Sequence, residues 1–157
     1  FNSNLRILQY NFQLIKNIKK SLMMDLEVIK IAENTTNYKC VKNHSHKYKH
    51  KNSICGDEIE ITLKIRDRKI IDFGYQTKSC IYCQASASLL SRLSKNKEVN
   101  EVNSFLKIAD VLFQDNHKST PKYWKSFNAI FKKENLQRKE CLMLPVNALM
   151  KITNSYD

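Results

Sequence analysis

The stretch Glu58-Ile59-Glu60-Ile61-Thr62-Leu63-Lys64-Ile65-Arg66 alternates polar and apolar residues throughout. Successive side chains of an extended chain point to opposite faces, so Ile59, Ile61, Leu63 and Ile65 share one face of a half-buried strand. Asp67-Arg68 supplies a turn, and Lys69 to Thr77 is expected to return as a second strand with Ile71, Phe73 and Tyr75 on one side. Upstream, Leu26, Ile29 and Ala32 recur at helical spacing, with Asp25 placed to cap a helix ending near Glu33. Asn34 to Ser53 is polar and reads as a loop with at most one short edge strand near Tyr38–Val41. Everything downstream is helical in pattern. Cys80 to Leu93 is a run of helix formers in which Ala85, Ser86, Ala87 and Ser88 permit close packing, and Val99 to Phe113 carries Val102, Phe105, Ala109 and Leu112 on one stripe. Thr120-Pro121 is expected to open a helix bearing Trp124, Phe127 and Phe131, and Pro145 a last helix through about Ile152. Strands followed by helices predict an α+β domain: a small antiparallel three-stranded sheet with helices packed on one face.

Composition removes several function classes. The chain of 157 residues has only two glycines, Gly56 and Gly74, so it holds no Gly-rich phosphate cradle, dinucleotide fingerprint or G-x-S-x-G elbow. No apolar run approaches the roughly 20 residues needed to span a bilayer, and no membrane partner is expected. The net charge of +12 invites a nucleic-acid reading. The lysines are dispersed, however, and no RNP pattern or Cys/His finger accompanies them, so a solvated basic surface is the better account. Residues 1–24 hold Arg6, Lys16, Lys19 and Lys20 and no acidic residue. They read as a basic leader or upstream extension outside a domain spanning 25–157. If they are a presequence, the compartment is an organelle matrix; otherwise a cytoplasmic setting is expected.

Five cysteines remain: Cys40, Cys55, Cys80, Cys83 and Cys141. An odd number without a secretory signal argues for reduced thiols rather than a disulfide framework. Cys55 precedes the first long strand, and Cys80 follows its hairpin partner, so antiparallel pairing brings both to one end of the sheet. Asp57 can turn a carboxylate to the same point, and Cys141 lies just ahead of the last expected helix. Cys80 and Cys141 near helix N-termini are expected to have depressed thiol pKa values. Three thiolates and one carboxylate make a tetrahedral set for zinc, or for iron with bridging sulfide. Cys40 and Cys83 read as small buried hydrophobes. The Cys80-Ile81-Tyr82-Cys83 motif lacks the parallel strands of a thioredoxin-like redox site, and His44, His46 and His50 read as solvated loop residues.

Three segments carry a family resemblance. Asn52-Ser53-Ile54-Cys55-Gly56-Asp57 resembles the first ligand motif of the U-type iron–sulfur cluster scaffolds, the family of IscU, SufU and the NifU amino-terminal domain. Ser79-Cys80-Ile81-Tyr82-Cys83-Gln84-Ala85-Ser86-Ala87-Ser88 resembles the second, and Arg138-Lys139-Glu140-Cys141-Leu142-Met143-Leu144-Pro145 the third. The likeness runs from about Asp25 to Ile152, and the long stretch between Cys80 and Cys141 is similar to the SufU layout. It implies that Cys55, Cys80 and Cys141 are thiolate ligands and sulfur acceptors; of these Cys141, near a helix start and after a long connection, is the preferred acceptor. It also implies that Asp57 is a ligand controlling lability, that a cysteine desulfurase is the sulfur donor, and that a transient [2Fe–2S] cluster is delivered to apo iron–sulfur proteins. Such a protein is a scaffold rather than an enzyme. The alternatives are a zinc-dependent sulfurtransferase that never holds a cluster and, behind it, a basic nucleic-acid-binding module. Glu140 stands where IscU relatives have a histidine, and Ser53 and Ser79 replace the usual proline and glycine. The chaperone-recognition motif is not visible in Glu134 to Arg138, so no dedicated Hsp70 partner is implied.

Overall fold

Helix α1 (Asn2–Ala32) leads into strands β1 (His46–Lys51), β2 (Glu58–Arg66) and β3 (Lys69–Lys78), then α2 (Ile81–Ser94), α3 (Val99–Ile108) and α4 (Lys139–Thr153). These elements come from a computed structural model that describes residues 2–114 and 120–156. The sheet is antiparallel in the order β1-β2-β3, and the expected α+β architecture is present. Ile59, Ile61 and Leu63 are buried against the helices. On the outer face Lys47 pairs with Glu60 at 2.9 Å and Lys49 with Glu58 at 3.2 Å, so the free edge carries solvated lysines that discourage further pairing.

Two strand expectations are corrected. The third strand is His46–Lys51, not Tyr38–Val41, where a single bridge joins Tyr38 to Tyr75. The apolar face of β3 uses Ile70 rather than Ile71. Register slips between Lys64 and Ile65, pairing Ile65 with Ile70 and Lys64 with Asp72 and leaving Ile71 as the extra residue of a bulge. A bulge shifts every side chain beyond it to the other face, which strict alternation cannot foresee.

The segment before β1 lies tightly on β3. The Lys39 amide donates to the Tyr75 carbonyl at 3.1 Å, and the Tyr75 amide donates to the Asn37 carbonyl at 3.0 Å. Gly74 sits at this crossing, where a Cβ would stand 2.4 Å from the Lys39 carbonyl oxygen and 3.0 Å from Thr62 Oγ1. Backbone cannot yield as a flexible side chain can, so Gly74→Ala should destabilise the protein by about 1–3 kcal/mol. An unchanged midpoint in denaturant would show that residues 37–39 are not held in this place.

The helical layer also differs in its boundaries. Helix α1 runs through residue 25 without a break, so no N-cap lies there. Its side chains from Arg6 to Glu27 are exposed wherever they are described, while Val28 and Ala32 are buried. Helix α2 approaches its neighbours through small residues as expected: Ser86 donates to the Leu142 carbonyl of α4 at 2.7 Å, and Ser88 to the Asn34 carbonyl at 2.8 Å. The stripe begun by Val102 and Phe105 continues past α3 into a 3₁₀ turn, Ala109–Phe113. Pro121 caps, rather than begins, a 3₁₀ segment from Lys122 to Ala129, and Thr120 bonds Asn128 instead of the backbone. That segment still delivers its aromatics to the core: Trp124 stacks on Phe105 with centroids 4.1 Å apart, and Phe127 lies 4.8 Å from the same ring.

The largest correction concerns α4. It starts at Lys139, not Pro145, and Pro145 lies inside it. Proline has no N–H to give the carbonyl four residues earlier, which belongs to Cys141. Cys141 is therefore the third residue of the helix, within its first turn, rather than a loop residue ahead of it.

Candidate metal centre

The loop before β2 is a tight turn built from its own polar groups. Asn52 Oδ1 accepts the Ile54 amide at 2.8 Å, the Gly56 amide donates to the Asn52 carbonyl at 3.0 Å, and the Asn52 amide donates to the Asp57 carbonyl at 2.8 Å. Gly56 adopts a φ of +76°, a left-handed conformation that costs glycine little. The turn leaves Cys55 exposed and directs Asp57 inward, half-buried.

Pairing of Glu58 with Lys78 brings the start of β2 beside the end of β3, as connectivity required. Cys80 follows β3 as the N-cap residue of α2, with extended backbone angles. Its amide donates to Asp57 Oδ2 at 3.2 Å, so the carboxylate from one loop holds the start of the neighbouring helix. Cys141 enters from α4. One ligand atom from each of Cys55, Asp57 and Cys141 lies within 4.8 Å of the others. The tight three-atom group does not include Cys80, which borders it through its amide bond to Asp57 and acts electrostatically on Cys141.

Electrostatics run opposite to the expected depression at Cys141. Burial pushes its thiol up to about 12, and the charges of Cys80, Cys55 and Asp57 push the same way. The N-terminal dipole of α4 is outweighed because several groups that become anionic crowd one point. A cation placed among them removes both obstacles, since it compensates the lost hydration and turns mutual repulsion into shared attraction. The donors are soft sulfurs with one hard oxygen, a set that suits zinc or ferrous iron in tetrahedral geometry. Cys55, Asp57, Cys80 and Cys141 would hold such an ion, which would stabilise the thiolate forms.

The remaining candidates stay apart. Cys83 is buried under α2 with its sulfur 3.9 Å from Thr77 Oγ1, and burial pushes its thiol up to about 12. Cys40 is exposed, contrary to the expected buried role. His44 bonds the Val41 carbonyl at 3.0 Å, His46 bonds the Tyr156 hydroxyl at 3.1 Å, and His50 stacks on Tyr48. Among the described residues no metal-ligand grouping contains a histidine. Sequence reasoning missed the Asp57–Cys80 bond, for which a carboxylate two residues after Cys55 and a helix start at Cys80 were the available signals.

The raised thiol values set a pH dependence for the metal-free protein. Cys83 and Cys141 keep their protons to about 12 when folded, against an ordinary 9.0. Between these values the unfolded chain loses protons that the folded chain retains, so rising pH favours unfolding; below about 9 neither group contributes a slope. The thermal midpoint should fall from pH 9 upward, and Cys83→Ala should remove part of the fall. A decline identical in wild type and variant would assign it to other groups.

Comparison with known proteins identifies the family of the chain. Residues 24–127 match the NifU-like N terminal domain family. A stretch of 60 residues is 37% identical to the iron–sulfur cluster assembly scaffold protein IscU of Thermotoga maritima, covering 38% of this chain and 42% of that protein. The match thus spans less than half of that relative's length. The fold is similar to a nitrogen-fixing NifU-like protein (N-terminal) from Brucella abortus, with a TM-score of 0.72 and 17% identity over 80% of this chain and 88% of that one. It is also similar to a candidate iron–sulfur cluster assembly scaffold for the SUF system from Fervidobacterium islandicum, with a TM-score of 0.68 and 19% identity over 80% and 92% of the two chains. With well over half its length matched, the chain belongs to the family of the NifU-like N-terminal domain.

Proposed function

We propose that this protein is an iron–sulfur cluster assembly scaffold that accepts sulfur from a cysteine desulfurase as a persulfide, combines it with iron as a [2Fe–2S] cluster once an external thiol or electron-transfer reductant has reduced it to sulfide, and passes the cluster to apo iron–sulfur proteins. The observation that carries this reading is the convergence of Cys55, Asp57 and Cys141, from separate parts of the chain, with Cys80 bordering them through its amide bond to Asp57. The IscU relative and the SUF-system neighbour carry the name of iron–sulfur cluster assembly scaffolds, which supports the scaffold part of this reading.

Cys141 is the proposed sulfur acceptor. Its thiolate attacks the outer sulfur of the desulfurase persulfide, the donor's S–S bond breaks, and the donor cysteine leaves as a thiolate while the new S–S bond forms on Cys141. A cation at the centre assists by holding Cys141 deprotonated, which the metal-free pocket opposes. Cys55 stands exposed on its turn. Asp57 supplies the weaker, oxygen ligand, so the cargo is held loosely enough to leave.

The same donor set supports a second reading, a zinc-bound persulfide relay without a cluster. Anaerobic incubation with ferrous iron, cysteine and a cysteine desulfurase separates the two. The scaffold reading predicts visible iron–sulfur absorption and its transfer to apo-ferredoxin. Stoichiometric zinc, persulfide on the protein and no such absorption would establish the relay instead.

A further inference from the structure

Helix α1 presents a face that the described molecule leaves uncovered. On a 3.6-residue period Leu8, Ile15, Ile18, Leu22, Leu26 and Ile29 fall on one stripe. Their exposure runs from 39% at Ile29 to 66% at Leu8. Scattered apolar residues on a surface need no explanation, but a stripe of six along one helix, broken only at Asn11, does. Val28 and Ala32 anchor the last turn of α1 in the core, while the exposed stripe occupies a different side of the helix.

The opposite arc is cationic up to residue 24. Arg6, Lys16 and Lys20 lie on it with Gln9 and Gln13, and no acidic residue precedes Asp25; farther along, Glu27 shares the arc, and Lys20 pairs with Glu134 of the domain at 3.7 Å. At the border between the two faces the Lys16 ammonium sits 4.6 Å from the centroid of the Phe12 ring, so a basic head is held beside apolar surface. Charge decides what fits. A second copy laid along residues 6–24 would set one acid-free row of cations beside another, whereas an anionic surface with apolar depth satisfies both faces at once. That combination, a basic polar arc and an apolar stripe on a helix of low overall hydrophobicity, is the physical signature of a segment lying in a bilayer interface. Among the described residues no helix is long and apolar enough to cross a membrane. The sequence reading expected no membrane partner for lack of a spanning segment, and an in-plane helix needs none.

We propose that α1 docks on an anionic lipid surface, its apolar stripe at the acyl boundary and its lysines among the headgroups. This surface is separate from the cysteine centre and does not depend on the scaffold reading.

The test is flotation of the full chain with vesicles of phosphatidylcholine alone and of phosphatidylcholine with one-quarter phosphatidylglycerol, at physiological salt. The expected result is at least tenfold more protein on the anionic vesicles. The double variant Ile15→Asp and Leu22→Asp, at two exposed positions, should lose at least tenfold of that binding with an unchanged thermal midpoint. Lys16→Gln with Lys19→Gln should lose several-fold. Undiminished binding by the aspartate variant would overturn the proposal, because charge elsewhere on this basic protein would then be responsible. Equal binding to neutral vesicles would overturn it too, as would a lipid-free dimer that the aspartate substitutions dissociate.

Discussion

Cys141→Ser should lower zinc affinity by more than about 100-fold and abolish desulfurase-dependent sulfur uptake. Cys141 is a direct member of the tight group: its ligand atom lies within 4.8 Å of those of both Cys55 and Asp57, and Cys80 acts on it electrostatically. Removing it takes away a sulfur ligand from the centre. Loss of an outer-shell partner alone typically costs 10–100-fold in metal affinity, so loss of a direct thiolate should cost more. Serine has nearly the same volume, and the side chain is almost fully buried, so the fold should survive with a change of about 1 kcal/mol. Cys83→Ser is the matching control. Cys83 is buried, faces Thr77 and stands outside the ligand group, so zinc affinity should stay within about twofold of wild type. Competition against a chromophoric chelator measures both variants, and persulfide labelling after incubation with a desulfurase measures uptake. Full labelling of Cys141→Ser would remove Cys141 from the acceptor role.

The second large effect is at Asp57. Replacing it with cysteine should slow transfer of a reconstituted cluster to apo-ferredoxin by about tenfold or more. A carboxylate oxygen is a harder, weaker partner for iron in a sulfur-rich site than a fourth thiolate, so Asp57→Cys converts a releasing site into a retaining one. The substitution also removes the acceptor of the Cys80 amide bond at 3.2 Å, which loosens the start of α2. Those consequences act on different observables. Tighter ligation appears as a slower transfer rate, and the lost bond as a lower thermal midpoint of the metal-free protein. Transfer at the wild-type rate would mean that Asp57 does not set the lability of the cargo.

Much of the architecture was legible because β2 states its pattern plainly. Period-two alternation from Glu58 to Arg66 fixed a half-buried strand, and the turn at Asp67-Arg68 fixed its partner, whose far end returns to Cys55. That topology alone predicted that Cys55, Asp57 and Cys80 share one end of the sheet. Strand β1 was missed because His46-Lys47-Tyr48-Lys49-His50-Lys51 has almost no apolar signal: it is an edge strand whose outer side is kept charged and whose inner side uses aromatic and histidine rings. The bulge at Lys64/Ile65 was invisible for a related reason, since local composition does not announce a slip of one residue in register.

The start of α4 was misplaced by a rule that is sound on average. Proline favours the first helical turn, yet here Pro145 sits beyond it, and the helix tolerates the missing hydrogen bond. The consequence was functional, because it moved Cys141 from just ahead of the last helix into the first turn of that helix. The thiol pKa was misjudged for the same underlying reason. A helix dipole can be read from sequence, whereas burial and the crowding of Cys80, Cys55 and Asp57 around Cys141 exist only once the fold is formed.

X-ray absorption at the zinc edge of the zinc-loaded protein addresses the cysteine centre most directly. The site described here predicts four ligands, three of them sulfur at about 2.3 Å and one a light atom near 2.0–2.2 Å, with the sulfur number falling by one in each of Cys55→Ser and Cys80→Ser. A shell dominated by nitrogen and oxygen, or a sulfur number unchanged in those variants, would contradict it.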